Sequence, residues 1–266
     1  MQLQDIYIYP IKSLGGIRLE EAVLEERGLK FDRRWMLVDK EGMFLTQRNH
    51  PQMALLQTNL TKDSLLVCHK NKPEISIEIP FEATSKDVIP VTIWDDQVMG
   101  QIVDYRLNDW FSEQLGLSCM LVIMPDSTER KLPAKYAVNN ESVSFADGMP
   151  YLVIGQSSLD ELNSRLEIPV PMDRFRPNFV FSGGNAFEED EWDKVKIGNS
   201  LFKITKPCAR CVMTTIDQTS GKKSKEPLKT LSAYRNVNGK VMFGQNMLLL
   251  EGGKIRIGDE LTVFEK

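Results

Sequence analysis

Short apolar runs separated by turn residues occupy most of the chain, and this limits its architecture more than any other feature. In residues 4–9, isoleucines 6 and 8 alternate with tyrosines 7 and 9, the two-residue period of a half-buried strand. Pro10 ends that run. Paired glycines close Lys12-Ser13-Leu14-Gly15-Gly16 as a turn, because glycine reaches positive φ without a Cβ penalty. Further strands are predicted over residues 17–24, 34–38, 64–68, 75–79 and 97–103. They resume over 179–181, 194–197, 201–205, 212–216, 241–243, 248–250, 254–256 and 260–264. Helical spacing is confined to two places. Leu107, Trp110, Phe111 and Leu115 recur at intervals of three and four, and Ser158-Leu-Asp-Glu161 reads as a capping box opening SSLDELNSRL. Many short strands with few helices predict a mainly β fold with minor α, barrel-like rather than doubly wound. Residues 127–140 lack an apolar period and read as a connecting loop.

A chain of 266 residues can bury a full core without staples. Its charge is nearly balanced, with 33 Lys and Arg against 37 Asp and Glu. A nucleic-acid-wrapping protein would show a basic excess, so no nucleic-acid partner is expected. Any anion site must instead come from local clustering of positive charge. The N-terminus has no basic segment followed by an apolar run, and no stretch approaches the roughly 20 apolar residues of a spanning helix. The expectation is a soluble, cytoplasmic protein with reduced thiols and no membrane partner.

Cys208-Ala-Arg-Cys211 is the sharpest chemical motif. Such a pair can be a redox dithiol, half of a zinc site, a soft-metal thiolate or two structural cysteines. A zinc ribbon needs a second ligand pair, which His50 and His69 do not supply at suitable spacing. Plant-type iron–sulfur spacing is absent too. Thioredoxin-like chemistry wants the first cysteine at a helix N-terminus, whereas strand-like LFKIT precedes this pair and strand-like VMTTI follows it. That setting suits a thiolate held on a sheet or loop for a soft metal.

Basic residues also occupy turn-like positions: Lys12 beside Ser13, Arg33 with Arg34, and Arg174 with Arg176 in DRFRPN, where Asn178 adds an amide. Taken singly, each is ordinary solvated surface. Convergence would make them an anion cradle, because charged donors form the stronger hydrogen bonds to phosphate oxygens. Asp147, in FADGMP, reads either as a turn-forming aspartate or as an acid near a metal. Gly244 and Gln245, in FGQN, read as a tight turn with close backbone approach. Tryptophans 35, 94, 110 and 192 are read as core, and His50 as a loop histidine. Lys222, Lys223 and Lys225 form a basic run that could dock an acidic partner.

With these residues in view, the sequence resembles MOSC-domain proteins, specifically the two-part kind with an N-terminal MOSC-associated β-barrel domain. YcbX-like bacterial proteins and the mitochondrial amidoxime-reducing component share that arrangement. The matching stretches are YPIKSLGG, GLKFDRRWMLVD, SFADGMPYLV, SSLDELNSRL, FRPNFVFSGG, KPCARCVMTTID, EPLKTL and FGQN, in family order across nearly the whole chain. The resemblance implies a β-rich N-terminal domain over residues 1–122 and a β-barrel-like MOSC domain over 123–266. It also implies a molybdenum cofactor (Mo-molybdopterin), with Cys211 as the metal ligand. Lys12, Ser13, Arg33, Arg176 and Asn178 match cofactor-contacting positions, as do Gly244 and Gln245. Asp147 matches an acidic position near the metal.

The implied activity is reduction of small N-hydroxylated substrates: amidoximes, hydroxylamines and N-hydroxylated bases. The alternative is a cofactor carrier or sulfur-handling module without turnover of its own, and a structural zinc protein is a third possibility. Longer relatives carry a ferredoxin-like [2Fe–2S] domain. No Fe–S cluster is expected here, so electrons should come from a separate donor protein, a reductase or ferredoxin-like partner.

Overall fold

The computed structural model describes residues 1–265. Its largest element is a nine-stranded sheet running edge to edge through Leu261–Glu265, Lys194–Ile197, Ser200–Arg210, Lys240–Glu251, Tyr151–Gly155, Phe179–Ser182, Gln2–Ile8 and Ile17–Leu19. Asn236–Val237 pairs off this path with Lys240–Glu251. Most neighbours are antiparallel. Tyr151–Gly155 and Phe179–Ser182 run parallel, joined by a crossover that contains the helix Gln156–Ser164. Three smaller sheets complete the β structure, giving the mainly β, minor-α fold that the sequence predicts.

The two ends of the chain are interleaved. Gln2–Ile8 lies antiparallel to Phe179–Ser182, and Lys254–Arg256 pairs with Glu21–Glu25. One apolar core follows from this, with Leu3, Ile6 and Ile8 packed among Tyr151, Phe179, Phe181 and Phe202. A second core lies within the first half, where Leu107, Phe111 and Leu115 bury one face of the helix Tyr105–Leu115 against Trp35, Leu56 and Leu121. Each such burial contributes roughly 1.5–3 kcal/mol. Asp104 caps that helix by accepting from the Arg106 amide, and Gly116 ends it in the left-handed conformation. Gln47 and Gln218 tie the halves with reciprocal buried amide hydrogen bonds of 3.1 and 2.9 Å.

Several sequence expectations are corrected. Residues 212–216 are not a strand: Val212–Thr215 forms a single 3-10 turn, in which the Thr214 amide donates to the Cys211 carbonyl. Short apolar runs carry too little periodicity to separate these outcomes. Ser158 is not a cap but lies inside its helix, after Gly155 at the N-cap, and its hydroxyl donates to the buried Glu189. The separate strands predicted over 241–243 and 248–250 are one, Lys240–Glu251. FGQN is therefore no tight turn; Gly244 sits within that strand at φ +76°, where the register against Ser200–Arg210 shifts. The strands Leu56–Leu60, Val88–Ile93 and Met120–Ile123 and the helix Leu228–Tyr234 went unpredicted. Trp94 is 46% exposed and is not core. No helix among the described residues is long and apolar enough to cross a membrane.

Candidate functional site

A cleft of about 160 Å³ opens between residues of the two halves. Lys12, Ser13, Arg33 and Arg48 reach it from the first, and Asp147, Arg174, Arg176, Asn178, Cys208, Arg210 and Cys211 from the second. Backbone conformation delivers several of them. Ser13, Arg33 and Arg176 all have left-handed backbones, at φ +68°, +50° and +53°. Each costs on the order of 1–3 kcal/mol, strain that persists where the surroundings over-determine it. Local hydrogen bonds do so here. The Arg33 amide donates to the Tyr9 carbonyl, and the Arg33 carbonyl accepts from the Phe145 amide. Asp32, fully buried, accepts from the Tyr9 amide and from Arg33 Nη1.

The Tyr9 ring lies under two guanidinium groups, with Arg33 Cζ 4.2 Å and Arg176 Cζ 4.1 Å from its centroid. Cation–π attraction offsets part of the repulsion between these arginines. Burial, with Arg33 alongside, brings Arg176 down to about 10, so it stays protonated at neutral pH. Burial pushes the Tyr9 hydroxyl well above its ordinary range.

Positive charge dominates the cleft, with five arginines and one lysine against the single carboxylate of Asp147. Lys12 Nζ is buried and donates to the Phe145 carbonyl at 2.7 Å and to Asp147. Burial lowers it to about 8 despite the Asp147 charge beside it. Asp147, exposed at the mouth, also accepts from Arg48 Nη2 at 2.7 Å. Desolvation would raise its carboxyl, but Lys12 and Arg48 hold it well below the usual carboxylate range.

Three arginines in the cleft keep guanidinium hydrogens with no acceptor in the protein: Arg174 at Nε, Arg176 at Nη2 and Arg210 at Nη2. Each also donates elsewhere. Arg174 donates to the Thr214 carbonyl and Asp217, Arg176 to the Leu14 carbonyl, and Arg210 to the Phe243 and Phe175 carbonyls. A buried donor without an acceptor costs about 1–3 kcal/mol. All three arginines line the cleft, so an anionic group bound there would sit among them.

Cys208 lies on the last residues of the strand Ser200–Arg210, and Cys211 immediately follows it. Both are partly exposed free thiols. Arg48 Nε–H donates to Cys211 Sγ at 3.2 Å. Among the described residues, no cluster of three or more His, Cys, Asp or Glu stands ready to hold a metal. A soft metal at Cys211 would therefore have to bring most of its own ligands. A dithiolene-bearing anionic cofactor fits that donor set and the unpaired arginine hydrogens together.

Of the residues singled out in the sequence, Lys12, Ser13, Arg33, Asp147, Arg176, Asn178 and Cys211 come together in the cleft. Asn178 also holds strands, its amide accepting from the Leu152 amide and donating to the Tyr7 carbonyl. Gly244 and Gln245 do not line the cleft. Gln245 is buried and donates to Asp190, and at Gly244 an added Cβ would stand 2.8 Å from the Val153 carbonyl oxygen. Sequence reasoning missed Arg48 and Arg210. Arg210 lay inside the CxxC motif, but Arg48 had no local signal. Lys223, in the predicted basic run, donates to the Arg48 carbonyl at 2.7 Å. His50 stays in its loop at the start of the 3-10 turn Pro51–Leu55.

Comparison with known proteins identifies two family domains in the chain. Residues 1–118 match the MOSC N-terminal beta barrel domain and residues 140–262 the MOSC domain. Mitochondrial amidoxime-reducing component 1 of Mus musculus is 33% identical over 277 residues, covering 97% of this chain and 81% of that protein. The human protein of that name is 31% identical, covering 97% and 82%. A molybdenum cofactor sulfurase of Oryza sativa subsp. japonica is 33% identical over 285 residues, covering 99% of this chain but 34% of its own length. The chain belongs to the MOSC-domain family, in the two-part form that sets a MOSC N-terminal beta barrel domain ahead of the MOSC domain.

Proposed function

We propose that the cleft holds a molybdenum cofactor and that the protein reduces N-hydroxylated compounds such as amidoximes and hydroxylamines. One observation carries this reading: a partly exposed thiol, Cys211, shares a cleft with Arg174, Arg176 and Arg210, each of which keeps one buried guanidinium nitrogen without an acceptor. Bound there, the cofactor would supply its own dithiolene ligands and the two-electron chemistry that takes the oxygen of an N–OH group. Cys211 would furnish the protein thiolate, Arg174, Arg176 and Arg210, with Lys12 and Arg33, would neutralise the phosphate, and the Ser13 hydroxyl would hydrogen-bond to it. Asp147 is held ionised by Lys12 and Arg48, so it orients rather than stores a proton. Lys12 Nζ, ion-paired to Asp147, keeps that carboxylate in place. Conversion of an N–OH group to N–H consumes two electrons and two protons and releases water. The electrons would come from a separate reductase or ferredoxin-like protein.

A cofactor-carrier reading is supported by the sulfurase relative, which matches as much of this chain as the amidoxime-reducing components do. The deciding experiment measures molybdenum per chain and benzamidoxime reduction with an artificial electron donor, for wild type, Cys211→Ala and Cys208→Ala. The reductase reading expects near-stoichiometric molybdenum and turnover in wild type and Cys208→Ala, with both lost in Cys211→Ala. Molybdenum without turnover, together with rapid transfer to an apo-enzyme, would favour the carrier. Equal molybdenum in wild type and Cys211→Ala would sink the assignment of the ligand.

A further inference from the structure

Trp94 stands where a large side chain is unfavourable on two counts. It is 46% exposed, unlike the buried Trp35 and Trp192. It also takes the first position of a two-residue hairpin loop, between the paired residues Ile93 and Asp96, with φ +56°. Positive φ at the first position of such a loop is ordinarily met by glycine, and for a bulky residue it is rare. Neither folding nor solubility is served by an exposed indole held in strained backbone, and such outliers cluster at ligand-binding sites.

Its contacts fix its location. The indole Nε1–H points to Asp147 Oδ1 at 3.4 Å, and Arg48 Cζ lies 4.7 Å from the ring centroid. Phe44 packs against it with centroids 5.1 Å apart. Asp147 and Arg48 both line the cleft, and Arg48 also reaches Cys211 Sγ. One guanidinium therefore spans the distance between the indole and the sulfur. Trp94 itself is absent from the cleft lining, where the unpaired arginines lie. It stands at the mouth, beyond the groups fitted to an anion.

We infer that Trp94 is a stacking platform for substrate at the cleft mouth, giving the protein a preference for N-hydroxylated compounds whose nitrogen is conjugated to a planar ring. The inference rests on the reductase reading. A substrate that turns its N–OH group toward Cys211 leaves the rest of its body at the mouth. A flat conjugated body offers the indole a broad face, and offset stacking is the favoured aromatic geometry. An aliphatic body of similar polarity offers none. Trp94 acts on specificity and touches no reacting atom.

The test uses cofactor-loaded protein with benzamidoxime and acetamidoxime, comparing wild type with Trp94→Ala, Trp94→Gly and Trp94→Phe. The ratio of kcat/KM for benzamidoxime to that for acetamidoxime should fall about tenfold in the alanine and glycine variants, on the scale of a lost stacking contact. Trp94→Phe should keep most of the ratio. Trp94→Gly relieves the backbone strain while it removes the ring's contacts with Phe44 and Arg48, and a cooperative thermal transition in that variant separates lost stacking from misfolding. Molybdenum per chain should match wild type in every variant. An unchanged ratio overturns the inference, as does loss of molybdenum in Trp94→Ala, which would assign the ring to the cofactor. If wild type reduces neither compound, the reductase reading fails separately. Stacking is then read by calorimetric binding of benzamidoxime, about tenfold weaker in Trp94→Ala if the platform exists, and equal binding overturns it.

Discussion

Arg48 Nε donates to Cys211 Sγ at 3.2 Å across 163 residues of sequence. Its Nη2 meanwhile holds Asp147. A single planar fork from the first half thus fixes both the thiol and the carboxylate of the second.

Lysine cannot reproduce that fork, because an ammonium is a point charge on a flexible stem. Arg48→Ala and Arg48→Lys should each lower molybdenum content or amidoxime turnover about 10- to 100-fold, as is typical when a partner of a metal ligand is removed. Stability should change little, since Asp147 keeps Lys12. Molybdenum analysis and steady-state rates check this; an Arg48→Lys variant matching wild type in both would show that charge alone suffices.

Lys12 makes stability depend on alkaline pH. Its folded pKa is about 8 against an ordinary 10.5, so between those values the unfolded chain binds more protons than the folded one. Stability then rises with pH across that window, and its loss is complete below about 8. The full effect of this buried group is on the order of 3 kcal/mol. Urea midpoints at pH 7 and 10 should move further apart in wild type than in Lys12→Met, and equal pH dependence in the two would refute the link.

Gly244→Ala should destabilise the fold by about 2–4 kcal/mol. An added Cβ would lie 2.6 Å from Ile154 Cγ1 and 2.8 Å from the Val153 carbonyl oxygen, at φ +76°. Gly239, at φ +77° with nothing within 4 Å, is the control. Gly239→Ala carries the backbone penalty alone, about 1–2 kcal/mol. Similar urea midpoints for the two variants would mean that the neighbours of Gly244 yield.

What the sequence revealed of the site was local. Cys211 stood in a motif of four residues, Lys12 and Ser13 in a glycine-closed turn, and Arg176 and Asn178 around a proline. Their residue types already implied soft-metal and anion chemistry, and the structure gathers them in one cleft. Arg48 could not be found that way. Its meaning lies in Cys211 and Asp147, 163 and 99 residues distant. Trp94 escaped for a related reason: an indole in a sequence is core by default, and only its exposure and positive φ say otherwise.

The same division holds for the fold. Alternation of apolar residues determined the strand Gln2–Ile8, and spacing of three and four determined the helix Tyr105–Leu115, because those patterns are imposed by the backbone's own periods. The outcome at 212–215 was left to tertiary structure, since a run of four or five residues spans little more than one helical turn and does not separate a strand from a turn. So was the pairing of Gln2–Ile8 with Phe179–Ser182, which brings Lys12 and Arg33 to the side of the MOSC half. Sequence alone determined which residues could bind an anion or a soft metal. Tertiary structure decided which of them meet, because hydrogen bonds and charges act over a few ångströms of space, whatever the distance along the chain.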